Sequence, residues 1–101
     1  MAGNFSPIVG ALYTQSVDDT AAGILAASIP TSATWAEGYV RTASVVITKD
    51  GTTPTATLGL QADPGDVIFL RSRDEIVGYT ALRQAATTAT VDWEFYSGRL
   101  G

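Results

Sequence analysis

The side chains able to do chemistry in this sequence are carboxylates, arginines and hydroxyls, because histidine and cysteine are both absent. That inventory removes the usual general base, the thiol nucleophile and the commonest transition-metal ligands. Acidic residues pair up at Asp18-Asp19, Asp63 with Asp66, Asp74-Glu75 and Asp92 with Glu94. Two carboxylates can serve a glycosidase or a calcium ion, yet none of these pairs has the D-x-D-x-D-G spacing of a calcium loop. Asp92 and Glu94 stand two apart in an alternating run, so they share one face of a strand, where solvated surface charge accounts for them. The expectation is a protein that is not an enzyme and has no catalytic residue, cofactor or metal.

Ten acidic residues against six basic ones leave a net charge of −4, with no run of Lys or Arg. Nucleic-acid binding draws its affinity from neutralising phosphates and is disfavoured on that ground. The basic residues are Arg41, Arg71, Arg73, Arg83, Arg99 and Lys49. A guanidinium pairs with carboxylates bidentately and stacks on rings, which suits protein contacts and makes Arg41 and Arg83 candidate interface residues. Trp35 follows Pro30-Thr31-Ser32-Ala33-Thr34 in what reads as a loop, and an aromatic so placed is a candidate anchor. Phe5 and Pro7 stand out in the small, polar residues 1–7, which read as an extended arm that gains order against a neighbour, followed by one β domain over 8–101. Residues 1–7 carry no basic leader and no run of about 18 apolar residues follows, so no membrane contact and synthesis in a cytoplasm are expected.

Positioning these residues falls to strands. Ala89, Val91, Trp93 and Phe95 alternate with Thr88, Thr90, Asp92 and Glu94, which predicts a strand with one dry and one wet face. Residues 39–48 read as one long central strand, apolar on both sides at Val45-Val46-Ile47. Residues 67–70 read as a short run of the same kind after the turn Asp63-Pro64-Gly65-Asp66. Residues 55–60 are short and β-prone, 79–83 read as a strand, 8–14 as another, and 19–27 lean towards strand although their alanines favour helix. Ser72-Arg73-Asp74-Glu75 has the form of a capping box, with Ser72 starting at most one short helical turn near 73–77 and Glu75 reaching back to its amide. Short strands at close intervals predict an all-β, single-domain fold, a β-sandwich, jelly roll or small barrel, with the sandwich of jelly-roll-like type preferred.

The most distinctive segment is Lys49-Asp50-Gly51-Thr52-Thr53-Pro54-Thr55-Ala56-Thr57-Leu58-Gly59. Gly51 accepts the positive φ of a tight reversal and Pro54 limits pairing beyond it. With Gly59, Gly65 and Asp66, this pattern resembles that of small virion structural proteins of tailed bacteriophages, over residues 39–96. A similar loop occurs in immunoglobulin-like modules appended to carbohydrate-active enzymes. The phage resemblance implies that Asp50, Gly51, Pro54, Gly59, Gly65 and Asp66 shape turns and bind no ligand. It also implies a jelly-roll or related β-sandwich subunit built into a particle, as capsid decoration, connector or tail part. Of these the reading adopted is a capsid decoration subunit, self-associating as a trimer and clamping the major capsid protein at the virion surface; a connector or tail part is the alternative within that class, and a carbohydrate-binding sandwich the alternative outside it. A chain of 101 residues, 46% hydrophobic against 16% charged and without disulfides, has reason to pool apolar surface with a partner.

Overall fold

Residues 89–96 alternate buried and half-buried side chains without a break, and this run is the longest strand among the described residues. A computed structural model describes residues 8–98 and divides them into β1 (Tyr13–Val17), β2 (Trp35–Arg41), β3 (Val45–Thr48), β4 (Leu60–Ala62), β5 (Val67–Leu70), β6 (Thr80–Arg83) and β7 (Ala89–Tyr96). One helix, α1 (Arg73–Gly78), and a 3-10 turn at Ala26–Ser28 complete the elements. Two antiparallel sheets form, with orders β1-β7-β2-β5 and β4-β3-β6. They face one another as a β-sandwich. Between them lie Trp93, Tyr79, Phe95, Leu70, Ile76 and Val45, all fully buried. The arm over residues 1–7, with Phe5 and Pro7, lies outside the described residues.

Several local expectations are corrected. Residues 39–48 are not one strand: β2 and β3 belong to different sheets, and the chain crosses between them at Thr42, whose φ is +67°. The Thr42 hydroxyl accepts from the Thr90 amide at 3.1 Å, which holds this corner to β7. Trp35 is the first residue of β2 and not a loop residue. Strand β1 begins at Tyr13, and only an isolated bridge from Ile8 to Tyr96 lies upstream. Residues 19–27 form neither strand nor α-helix; Ala22 bridges to Ala81 and the 3-10 turn follows. Thr55 is irregular, residues 56–59 are bends, and pairing starts at Leu60. Strand β5 is dry on one face only, since Ile68 and Leu70 are buried while Val67 and Phe69 are exposed.

The helix starts as its sequence predicts, with the Ser72 hydroxyl accepting from the Glu75 amide at 3.2 Å. The reciprocal bond is displaced by one residue, because the Glu75 carboxylate takes the amide of Arg71, at 2.8 Å, rather than that of Ser72. Arg73 then ties the helix to the rest of the fold, donating to the carbonyls of Pro30 (2.7 Å) and Ala33 (3.0 Å). A six-residue helix has too few internal bonds to hold by itself, and these contacts with buried Ile76 supply its tertiary support.

Candidate functional site

The loop after β3 is built by its own side chains. Asp50 accepts from the Thr52 amide at 3.0 Å, and this bond holds its carboxyl below the usual carboxylate range. Gly51 sits at φ +87° and its amide donates to the Gly78 carbonyl at 3.0 Å, docking the turn on the end of α1. Pro54 is buried, and Gly59 adopts φ +135° where a Cβ would lie 2.8 Å from the Ile47 carbonyl oxygen. At the next reversal Gly65 has φ +96°, and the Asp66 carboxylate accepts from the Asp63 amide at 2.8 Å. Asp63 in turn accepts from Gln61 and Ser44, which lowers its own pKa. Loop and helix enclose an open groove of about 920 Å³ whose lining includes Ile47, Gly59, Leu60, Val77 and Gly78.

A second surface is the outer face of the four-stranded sheet. Register places Glu37 directly opposite Glu94, with Phe69 on the far side of Glu37. The next row sets Val67, Tyr39, Asp92 and Thr14 side by side. Like charges directly opposite repel. Here the Tyr96 hydroxyl stands between them, 2.9 Å from an oxygen of each glutamate. Burial, followed by these bonds to the two carboxylates, pushes the Tyr96 pKa up; Tyr39 is raised too, by burial and then by the Glu37 charge. Trp35 stacks on Tyr96 with centroids 4.0 Å apart and 10° between the planes. Arg41 pairs with Asp92 at 2.5 Å, largely in solvent.

The third surface is one long side of the sandwich. On the opposite side, the connection after β1 laces the sheets together: Ala22 and Ala81 exchange both backbone bonds and the Arg83 amide donates to Asp18. On this side β4 and β5 are the terminal strands of their sheets, joined by the turn at 63–66, and among the described residues no further strand or bridge pairs with either. Five of the eight large apolar side chains exposed among the described residues gather here; Ile8, Leu12 and Leu25 lie elsewhere. Leu58, Leu60, Val67 and Phe69 lie along the two strands and the loop before them, and Val77, at 68% exposure, lines the groove together with Leu60. A notch of about 260 Å³ between the strands brings Leu60 beside Val67 and Phe69.

The sequence-based candidates are therefore scattered. Trp35 and Arg41 share the outer face but stand at opposite ends of β2, Arg83 is on the other sheet at the laced side, and Phe5 and Pro7 lie outside the described residues. Residue types could not reveal the open side, since it arises only when β4 and β5 are brought together from separate sheets. Among the described residues no group of three or more acidic, histidine or cysteine side chains could hold a metal ion, and no helix is long and apolar enough to cross a membrane. Comparison with protein families, curated proteins and solved structures returns no match.

Proposed function

We propose that the chain is a structural subunit of a tailed-bacteriophage virion, most consistent with a capsid decoration protein that self-associates and clamps the shell. The observation that carries the reading is the open side of the sandwich, where two terminal strands and five large apolar side chains face solvent together. Apolar side chains exposed along one side of a fold in this number mark a contact site. The loop pattern from Asp50 to Asp66 supplies the phage resemblance. Many equivalent copies bound only to the assembled shell stabilise it by mass action, and no catalytic group is needed.

The test adds purified protein to particles of the source phage that lack it and measures their survival on heating and at low salt. Decoration predicts protected shells carrying the protein on the outer surface by immuno-electron microscopy. Protein found only on tails or at the portal vertex would hand the case to a tail or connector role. A carbohydrate-binding role is favoured by one observation, the Trp35–Tyr96 stack beside Glu37 and Glu94. Of the amides that could accompany such a platform, Gln15 is engaged in the core and Gln61 on Asp63. Saturable binding on a glycan array, lost in Trp35→Ala, would establish that role in place of the virion one.

A further inference from the structure

We infer that the exposed edge of β5 is a self-recognition surface, on which a second copy of this chain adds its own β5 antiparallel about a two-fold axis. The inference rests on the self-association in the reading above, not on the place of the protein in a virion.

Strand chemistry sets the register. The Val40 amide donates to the Asp66 carbonyl at 3.0 Å, and Val40, Gly38 and Ala36 stand two apart along β2, with Gly38 opposite Ile68 and Ala36 opposite Leu70. In an antiparallel pair, backbone groups alternate between the two sides of a strand. Asp66, Ile68 and Leu70 thus turn theirs towards β2, and Val67 and Phe69 turn theirs outwards. An exposed edge of this kind is a template for another strand, and proteins that stay monomeric blunt it with Lys, Pro, a bulge or a covering loop. From Asp66 to Leu70 this edge has neither lysine nor proline.

A two-fold pairing satisfies these outward groups when Val67 of one copy opposes Phe69 of the other and Ile68 faces Ile68 across the axis. The ends then match in charge, because exposed Asp66 of one copy comes opposite Leu70 and beside exposed Arg71 of the second copy. Val67 and Phe69 cover each other on the outer face, while Leu60 lies next to the contact through the notch. The four-stranded sheets of the two copies join into one sheet of eight strands. An isologous contact of this type closes at two copies, whereas the trimer expected from the sequence would need three.

Mass measurement by light scattering and sedimentation tests the inference on the full chain. The expected result is a concentration-dependent species of twice the monomer mass, reduced to the monomer in Phe69→Lys and in Val67→Pro, each shown to be folded by near-ultraviolet circular dichroism. Proline suits position 67 because the amide it removes points outwards at the start of an edge strand. The chain has no cysteine of its own, so introduced thiols report the register directly. Hydrogen-bonded partners lie ~5.5 Å apart at Cα, within disulfide range, whereas two copies of one position would be roughly 9 Å apart and outside it. Val67→Cys co-expressed with Phe69→Cys forms the mixed disulfide, and either variant alone does not. A wild-type monomer at high concentration would overturn the inference and leave virion attachment to be judged by the particle assay. An oligomer unchanged by both edge variants, or a trimer, would overturn the edge pairing while keeping self-association.

Discussion

Gln15 holds two buried donors on a single side-chain oxygen. Its Oε1 accepts from the Tyr79 hydroxyl at 2.7 Å and from the Trp93 indole at 3.1 Å, while its Nε2 donates to the Ala22 carbonyl at 3.2 Å. One amide thus ties the four-stranded sheet to the lacing segment and to Tyr79, the residue before β6, and Tyr79 and Trp93 meet edge to face at 4.9 Å. Removing the acceptor strands two buried donors, each at a cost of about 1–3 kcal/mol, so Gln15→Leu is expected to destabilise by roughly 2–6 kcal/mol in urea unfolding. Tyr79→Phe removes one donor and leaves the oxygen paired with Trp93, and its expected loss is about 0.5–1.5 kcal/mol. Equal losses would show that the oxygen does not serve both rings. Gly51 is limited by backbone conformation instead: its φ is +87° and a Cβ would meet nothing within 4 Å. Gly51→Val is therefore expected to cost ~1–3 kcal/mol through strain alone, and an unchanged melting temperature would refute the turn geometry.

At the level of elements, β7 orders the four-stranded sheet by pairing with β1 on one side and β2 on the other. Its inward Trp93 fills space that Gly38 of β2 leaves, since a Cβ there would stand 2.7 Å from the indole ring. Trp93→Ala opens that space and is expected to cost on the order of 3–5 kcal/mol, while Thr90→Ala on the outer face costs well under 1. A reversed ranking in denaturant melts would mean the faces are inverted. This strand was readable in the sequence because its period of two runs unbroken from Ala89 to Phe95. The α1 start was readable for a similarly local reason, the Ser72 cap. The β2–β3 corner was not, because Thr42 takes a left-handed conformation with no Gly or Pro to announce it. Residues 19–27 escaped reading as well, since their backbone is held by a bridge to β6 and a short 3-10 turn, neither of which imposes a period. The candidate surface was hidden most completely. Leu58, Leu60, Val67 and Phe69 read as ordinary strand apolars until the topology leaves β4 and β5 without outer neighbours.

For the whole molecule, stability and self-association should be one measurement. A domain of this length has only about 5–15 kcal/mol of stability in total, and no disulfide supplements its core. If two copies share the β5 edge, unfolding must also separate them, and the folded state is favoured by mass action as concentration rises. A hundredfold increase in protein should then raise the melting temperature by several degrees, because ~1–2 kcal/mol shifts a domain of this size by about 4–8 °C per kcal/mol. Phe69→Lys should melt at a temperature independent of concentration, since its lysine opposes strand addition without touching the buried face of β5. Gln15→Leu supplies the contrast: its melting temperature falls through the core while its dependence on concentration persists. Differential scanning calorimetry at matched ionic strength separates these cases. A wild-type melting temperature that stays constant over that range would mean that no second copy pairs with the open edge.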